Sequence, residues 1–146
     1  MYNNKHQYTW TDYEKDMKSI DWLKFDHVVG IYRGSLPMAV HISNIRNVPM
    51  SIVGFQTRDG KDKNPYWIHN ATTKTFDEVQ KILVVDDIYD TGYTMNNVID
   101  FVKKNRTRPS AMPEVYGYCL FGKENAKEIV YSNPLNGHWI VFPWER

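Results

Sequence analysis

The sequence predicts an α/β protein built on a single doubly wound, mainly parallel sheet with helices on both faces. Short runs of branched and aromatic residues alternate with amphipathic stretches, which is the order that produces strand–helix–strand units. Two of the strand-like runs end in a glycine-containing turn that leads directly into a helix. The 146 residues show no repeat, linker or low-complexity segment, so we expect one domain over residues 1–146 with a sizeable core.

The amino-terminal part of the chain predicts a helix, a strand and a second helix. Thr11 and Glu14 have the spacing of a capping box and apolar residues follow at helical intervals, so we expect a helix from residue 11 to about residue 23. Branched residues predict a strand over His27–Tyr32. A second helix, with proline in its first turn, is expected over Pro37–Arg46. Its inward-facing residues are predicted to be Met38, Ile42 and Ile45.

The rest of the chain predicts short strands separated by polar turns and one further long helix. We expect a strand over Pro49–Gln56, and a loop or hairpin tip from Thr57 to about Asn64, where the sequence is polar. The later strands are expected at Tyr66–Ile68, Thr72–Phe76, Ile82–Val85 and 115–121. The long helix has an apolar face formed by Met95, Val98, Ile99 and Val102. A short helical turn over Glu124–Val130 and a tail over Trp139–Trp144 complete the prediction.

Residues 82–94 carry the most informative pattern in the chain. A buried strand ends in two carboxylates, Asp86 and Asp87, and a third, Asp90, precedes a Thr-Gly-Tyr-Thr turn into the long helix. Unpaired amides and the positive end of the helix dipole favour a phosphate group at such a helix start, and Gly92 lets the backbone approach it closely. The acids suit the neighbouring part of the same ligand, such as sugar hydroxyls or a Mg²⁺ ion held largely through water.

This run resembles the phosphoribosyl-pyrophosphate (PRPP) signature of the type I phosphoribosyltransferases, and every specified position of that signature matches. The resemblance implies the fold of that family, in which a small hood lies beside the sheet. It implies that the 5′-phosphate of PRPP is bound by Asp90, Thr91, Gly92, Tyr93 and Thr94. The implied catalytic residues are Asp90, which would accept or share the purine N7 proton, and Asp86 and Asp87, which would hold the ribose hydroxyls. Mg²⁺ is the implied cofactor, and Asp87 would hold it through water.

The turn Arg33-Gly34-Ser35 follows the first predicted strand in the same way that the signature follows a later one. Both turns should therefore open on the same edge of the sheet. Arginine and glycine together can offer side-chain and backbone donors to a second phosphate group. In the purine branch of the resembled family, such a turn binds pyrophosphate, although Ser35 stands where a second glycine is usual. Arg58, in the polar loop, is expected to join this pyrophosphate site.

Lys123, Trp139 and Ile140 match the resemblance to the bacterial xanthine-guanine and hypoxanthine-guanine branch. An ammonium group favours a carbonyl acceptor, so Lys123 would donate to the 6-oxygen of a purine. Trp139 would stack on the base, and the backbone at Ile140 would contact the edge of the ring. Glu145 follows Pro-Trp where an aspartate is expected, which leaves its contact with the purine open.

The activity that the resemblance implies is transfer of the 5-phosphoribosyl group from PRPP to guanine, xanthine or hypoxanthine. One alternative is a regulator of the same fold that senses PRPP or a nucleotide and contacts RNA or DNA. Another is a phosphoribosyltransferase for adenine, orotate or uracil, although Lys123 disfavours adenine. The spacing of glycine, lysine and hydroxyl residues excludes a P-loop, and no dinucleotide fingerprint occurs.

The composition limits the classes of partner and the cellular compartment that we expect. The formal net charge is +1, which gives no general reason to expect nucleic acid or a membrane as a partner. The single cysteine, Cys119, excludes an internal disulfide and is expected to be buried and reduced in a cytoplasmic protein. The expected partners are PRPP and a purine base, in a homodimer or homotetramer. Which 6-oxopurine is preferred stays open at this point.

Overall fold

The computed structural model describes residues 4–55, 64–71, 81–105, 114–123 and 128–145. Within them lies a six-stranded sheet with the strand order β4-β3-β2-β5-β6-β7. Its strands are β2 (His27–Tyr32), β3 (Met50–Gly54), β4 (Tyr66–His69), β5 (Lys81–Ile88), β6 (Glu114–Gly122) and β7 (Ile129–Pro134). Every neighbouring pair is parallel except β3 and β4, which are antiparallel. The predicted α/β class and mainly parallel sheet are confirmed.

Helices cover both faces of this sheet. They are α1 (Trp10–Ser19), α2 (Leu36–Arg46) and α3 (Tyr93–Lys104), and a short 3₁₀ helix spans Pro143–Glu145. The side chains of β5 show how the two faces are filled, because Leu83 and Val85 pack with residues of α1 and α2, whereas Ile82 and Val84 pack with α3. Burial of each such side chain contributes about 1.5–3 kcal/mol. The continuous apolar run of β5 is thus the consequence of a sheet that is covered on both sides.

A second, two-stranded parallel sheet forms the hood, from β1 (Lys5–Gln7) and β8 (Trp139–Val141). The backbone amide of Trp139 donates to the carbonyl of Asn4 at 3.0 Å, and that of Tyr8 donates to Val141 at 3.0 Å. Strand β1 was not predicted, because all three of its residues are polar and exposed. Its place beside β8 is decided by backbone pairing.

Helix α1 begins and ends earlier than predicted. The capping box uses Thr9 and Asp12: the Asp12 amide donates to Thr9 Oγ1 at 3.1 Å, and the Thr9 amide donates to the Asp12 carboxylate at 2.9 Å. The helix ends at Ser19 because the chain turns after it, and Arg46 donates to the carbonyls of Ile20 and Leu23 in this turn. The predicted box at Thr11 and Glu14 was therefore wrong by two residues.

The inward face of α2 differs from the prediction at one position. Met38 and Ile42 are buried as expected, together with Ala39, but Ile45 is 53% exposed. Adjacent helical residues point about 100° apart. Since Arg46 is directed to the turn after α1, Ile45 is directed away from it.

The end of the predicted helical turn Glu124–Val130 is a strand instead. Ile129 and Val130 begin β7 and pair with β6, and residues 124–127 lie outside the described residues. The predicted apolar face of α3 is confirmed, and so is the burial of Cys119. The predicted loop from residue 57 to 63 and the predicted strand Thr72–Phe76 lie outside the described residues.

Candidate functional site

The acid pair stands at the carboxyl end of β5, one of the two central strands of the six-stranded sheet. Asp86 Oδ1 accepts from the Asp87 amide at 2.9 Å, and Asp87 Oδ1 accepts from the Ile88 amide at 2.7 Å. Burial raises the pKa of the Asp86 carboxyl, and the neighbouring Asp87 raises it further. Burial also raises the pKa of the Asp87 carboxyl. Two acids that resist being charged together favour a cation or hydrogen-bond donors beside them.

These carboxylates fit Mg²⁺ only when a ligand completes the coordination. Among the described residues, no group of three or more acids, histidines or cysteines could hold a metal ion by itself. Mg²⁺ is commonly bound by one or two carboxylates together with substrate phosphates and water. The pair therefore suits a metal that arrives with an anionic substrate.

The Arg33–Ser35 turn lies directly beside the acid pair. A Cβ atom at Gly34 would come within 3.0 Å of Asp87 Oδ2, so glycine permits this close approach. The peptide bond between Tyr32 and Arg33 is cis. Ser35 is buried, and its hydroxyl accepts from the Ile31 amide at 2.7 Å and donates to the Ile31 carbonyl at 2.8 Å. Its own amide also donates to Ile31. Ser35 thus shapes the turn, and its hydroxyl and amide bond to Ile31 within the protein.

The turn into α3 has the geometry of an anion site. Gly92 occupies the cap position with a φ of 84°, in the left-handed region, and brings no side chain of its own to the first-turn amides. A Cβ atom there would collide with the Tyr89 ring. Thr91 Oγ1 accepts from the Tyr93 amide at 3.3 Å, which leaves its hydroxyl proton available to a ligand. The Tyr93 ring stacks on Phe55, with 5.8 Å between the centroids.

A cavity of about 180 Å³ opens between the acid pair and the hood. It is lined by Asp87, Ile88, Asp90, Leu135, His138, Trp139, Ile140, Phe142 and Glu145. Trp139 is 53% exposed, whereas Ile140 is buried and anchors β8 to the core. Asp90 Oδ1 lies 2.5 Å from Lys123 Nζ, so the lysine stands beside this cavity. Burial raises the pKa of the Glu145 carboxyl, and Asp87 raises it further.

The structure thus brings most of the predicted site residues to one edge of the sheet, and it adds others. His138, Leu135, Phe142 and Ile88 were not predicted as part of the cavity. Only His138 had a recognisable signal, because it directly precedes Trp139 in the sequence. The predicted contribution of Arg58 lies outside the described residues.

A family model described as a phosphoribosyl transferase domain matches residues 12–145. The chain belongs to this phosphoribosyltransferase family. Its acid pair, its turn into α3 and strand β8 of the hood lie within the matched phosphoribosyltransferase domain. No curated protein gives a significant match. In the part of the phosphoribosyltransferase chain that the structure describes, no helix has the length and apolar character needed to cross a membrane.

The similarity to solved structures of the same fold covers nearly the whole chain. A purine phosphoribosyltransferase from Pyrococcus horikoshii Ot3 is 27% identical, with a TM-score of 0.73 and coverage of 97% of this chain and 95% of that chain. The xanthine-guanine-hypoxanthine phosphoribosyltransferase of Helicobacter pylori is 22% identical, with a TM-score of 0.72 and coverage of 97% and 92%. A hypothetical protein from Neisseria gonorrhoeae with bound ppGpp is 17% identical, with a TM-score of 0.70 and coverage of 100% and 92%.

Proposed function

We propose that this protein transfers the 5-phosphoribosyl group from PRPP to a 6-oxopurine, in purine salvage. The products would be pyrophosphate and the nucleoside 5′-monophosphate of guanine, xanthine or hypoxanthine. The observation that carries this proposal is the pairing of Asp90 with Lys123 beside the cavity. A 6-oxopurine protonated at N7 presents a donor and, next to it, the O6 acceptor, and this pair offers the matching acceptor and donor. Adenine would place a 6-amino donor against the ammonium group.

The sugar phosphate fits the edge formed by β5 and the turn into α3. The backbone around Gly92 and the hydroxyls of Thr91 and Thr94 would bind the 5′-phosphate at the positive end of the helix. Each hydrogen bond to such a charged group contributes about 1.5–3 kcal/mol. Asp86 and Asp87 would accept hydrogen bonds from the ribose hydroxyls, next to the turn at Gly34.

The reaction breaks the bond between C1′ of the ribose and the pyrophosphate oxygen, and that oxygen keeps the electron pair. The purine N9 forms the new bond to C1′ as its N7 proton passes to the Asp90 carboxylate. Positive charge grows on the ribose ring, where Asp86 and Asp87 stabilise it. Arg33 and the backbone at Gly34 would hold the departing pyrophosphate. Mg²⁺, which we propose as cofactor at Asp87 through water, supplies charge neutralisation for the phosphates when it is bound.

The purine is expected to stack on Trp139, which contributes roughly 1–3 kcal/mol by analogy with measured contacts between bases and aromatic side chains. The half-exposed ring of Trp139 and the anchored backbone of Ile140 support this orientation. The likeness to a solved purine phosphoribosyltransferase supports a purine as the base. A homodimer or homotetramer in the cytoplasm remains our expectation, which light scattering and cell fractionation would test.

A second candidate is a regulator that senses PRPP or a nucleotide. One observation favours this alternative: a solved protein of the same fold has ppGpp bound. The two functions differ in turnover. Incubation with PRPP, Mg²⁺ and each of guanine, hypoxanthine, xanthine, adenine, orotate and uracil should release pyrophosphate with 6-oxopurines. Absence of release with every base, together with tight binding of PRPP or ppGpp, would favour the regulator.

A further inference from the structure

The turn into α3 lies against an aromatic side chain that the PRPP signature does not specify. Tyr89 is the second of the two unspecified residues between the acid pair and the turn. Its side chain is half-buried and packs against the apolar cluster that includes Met95 and Val98 of α3. A Cβ atom at Gly92 would collide with the Tyr89 ring and hydroxyl, so the ring lies directly against the backbone of the turn.

The Tyr89 hydroxyl also contacts the first turn of α3. Asn96 Nδ2 donates to Tyr89 Oη at 3.3 Å, and it would lie 2.9 Å from a Cβ atom at Gly92. The backbone amide of Asn96 donates to the Gly92 carbonyl at 2.9 Å. The tyrosine ring and the asparagine side chain therefore both pack against Gly92, the glycine at the cap position of α3.

A second aromatic contact holds the turn at Tyr93. The Tyr93 ring stacks on Phe55, which is buried in the same apolar cluster. The turn is therefore attached to this cluster at two points, Tyr89 and Tyr93. A binding loop that is already held in one conformation loses less conformational entropy when its ligand binds. Its apparent affinity rises with the fraction of molecules that hold the binding conformation.

We infer that Tyr89, together with Asn96, is a positioning residue for the 5′-phosphate. Tyr89 acts through Gly92, because it keeps the first-turn amides of α3 in the orientation that receives a phosphate group. The inference rests on one part of the proposed function, the binding of the 5′-phosphate at this turn. It does not depend on which base the protein uses.

The test measures calorimetric binding of PRPP, ribose 5-phosphate and pyrophosphate in the presence of Mg²⁺. Only pyrophosphate lacks the 5′-phosphate. Tyr89→Leu keeps an apolar side chain on the cluster but removes the ring from Gly92. It should weaken binding of PRPP and ribose 5-phosphate roughly tenfold, because fewer molecules hold the binding conformation of the turn. Binding of pyrophosphate should stay unchanged. Tyr131→Leu, the same change in a half-buried tyrosine of β7 that packs against the same cluster, should alter none of the three affinities.

A second set of variants tests the hydrogen bond between the two side chains. Tyr89→Phe keeps the ring and Asn96→Ala removes the donor, so each variant loses the same bond. Each should weaken binding of ribose 5-phosphate roughly 2- to 10-fold, as expected for one hydrogen bond. The double variant should bind no more weakly than either single variant, because the bond can be lost only once.

Three outcomes would overturn the inference. The first is unchanged binding of ribose 5-phosphate in Tyr89→Leu, and the second is an equal loss of pyrophosphate binding, which indicates general unfolding. The third is a double variant in which the two single losses add, because Tyr89 and Asn96 would then act independently.

Turnover separates this inference from the proposed function. Absence of pyrophosphate release with every base, together with weaker PRPP binding in Tyr89→Leu, would remove the activity and keep the role of Tyr89. Turnover by the unchanged protein, together with unchanged PRPP binding in Tyr89→Leu, would keep the activity and remove that role.

Discussion

At the scale of single residues, the proposed reaction gives Asp90 a part in both base recognition and catalysis. Its carboxylate lines the cavity and pairs with Lys123 at 2.5 Å, so one side chain orients the lysine and would face the purine. Both side chains are about half exposed, and the ion pair by itself adds little stability. Its value lies in placing an acceptor and a donor side by side.

Replacement of Asp90 by asparagine should therefore lower turnover far more than PRPP affinity. Positioned acid–base groups contribute typically 10²–10⁴-fold, and we expect a fall in kcat of at least about 100-fold. The KM for PRPP should change by no more than a few-fold, because the backbone of the turn binds the phosphate. Steady-state kinetics would show this. Asp100→Asn, on the exposed side of α3, is the control. Equal losses in kcat and PRPP affinity would contradict a role as base.

Protonation of His27 makes the stability of the folded protein depend on pH. It is fully buried on β2, with Nε2 2.8 Å from Ser51 Oγ, and its Nδ1 has no hydrogen-bond partner among the described residues. Burial lowers the pKa of His27 to about 4, from an ordinary value of 6.5. The folded protein therefore disfavours the charged form, and protonation favours the unfolded chain.

The free energy of unfolding should be insensitive to His27 above about pH 6.5 and should fall as the pH drops from 6.5 towards 4. The loss that this pKa shift implies is about 3 kcal/mol. Urea denaturation between pH 4 and pH 8 measures it. His27→Gln should flatten this part of the curve even if it lowers stability throughout. An unchanged slope in the variant would mean that other groups cause the acid sensitivity.

At the scale of elements, the turn between β5 and α3 depends on one glycine. Gly92 has a φ of 84° and lies against the Tyr89 ring, so it meets two separate constraints. Gly137 has a φ of 77° but nothing lies within 4 Å of the position of its Cβ atom. A substitution at Gly137 therefore introduces backbone strain alone, whereas one at Gly92 introduces strain together with steric collision.

Gly92→Ala should lower PRPP affinity at least about tenfold and the free energy of unfolding by more than 1 kcal/mol, because strain and collision combine. Gly137→Ala should show only the cost of strain, with PRPP affinity unchanged. Calorimetric titration and denaturant unfolding of both variants give the comparison. Equal effects of the two substitutions would show that close packing at Gly92 does not matter.

Strand β1 supports the strand that carries Trp139 and Ile140. Two backbone hydrogen bonds hold β8 at both of its ends. At one end Trp139 donates to Asn4, and at the other Tyr8 donates to Val141. Removal of residues 1–7 should therefore raise the KM for the purine roughly tenfold, while the KM for PRPP stays within about twofold. Lys5→Ala keeps the backbone of β1 and should behave like the unchanged protein. A parallel rise in both KM values would point to general unfolding instead.

At the scale of the whole molecule, binding of PRPP should stabilise the protein, and Mg²⁺ should decide by how much. A ligand at about 100 times its Kd adds about 2.7 kcal/mol to the free energy of unfolding. For a protein of this size, that gain raises Tm by roughly 5–10 °C. With EDTA the rise should be much smaller, because Asp86 and Asp87 then face an anionic sugar without a cation. Thermal unfolding with and without Mg²⁺ measures the difference, and equal shifts would argue against the proposed metal site.

The sequence by itself determined the segment that we propose binds the sugar phosphate. The apolar run of β5, the three aspartates, the glycine turn and the face of α3 are contiguous, so their geometry follows from local rules: strand burial, the conformational freedom of glycine and helical periodicity. The same holds for the mainly parallel sheet, which follows from the alternation of strands and helices.

Only the tertiary structure decided the shape of the cavity between the acid pair and the hood. It brings Ile88 of β5 against Leu135, His138 and Phe142, which lie near the carboxyl end of the chain, and it ties β8 to a polar strand that has no hydrophobic pattern. It also turned the hydroxyl of Ser35 inward, where the sequence predicted a ligand contact. The reason is physical: local periodicity reports which face of an element is buried, whereas contacts between distant segments depend on strand order and register, which backbone pairing sets.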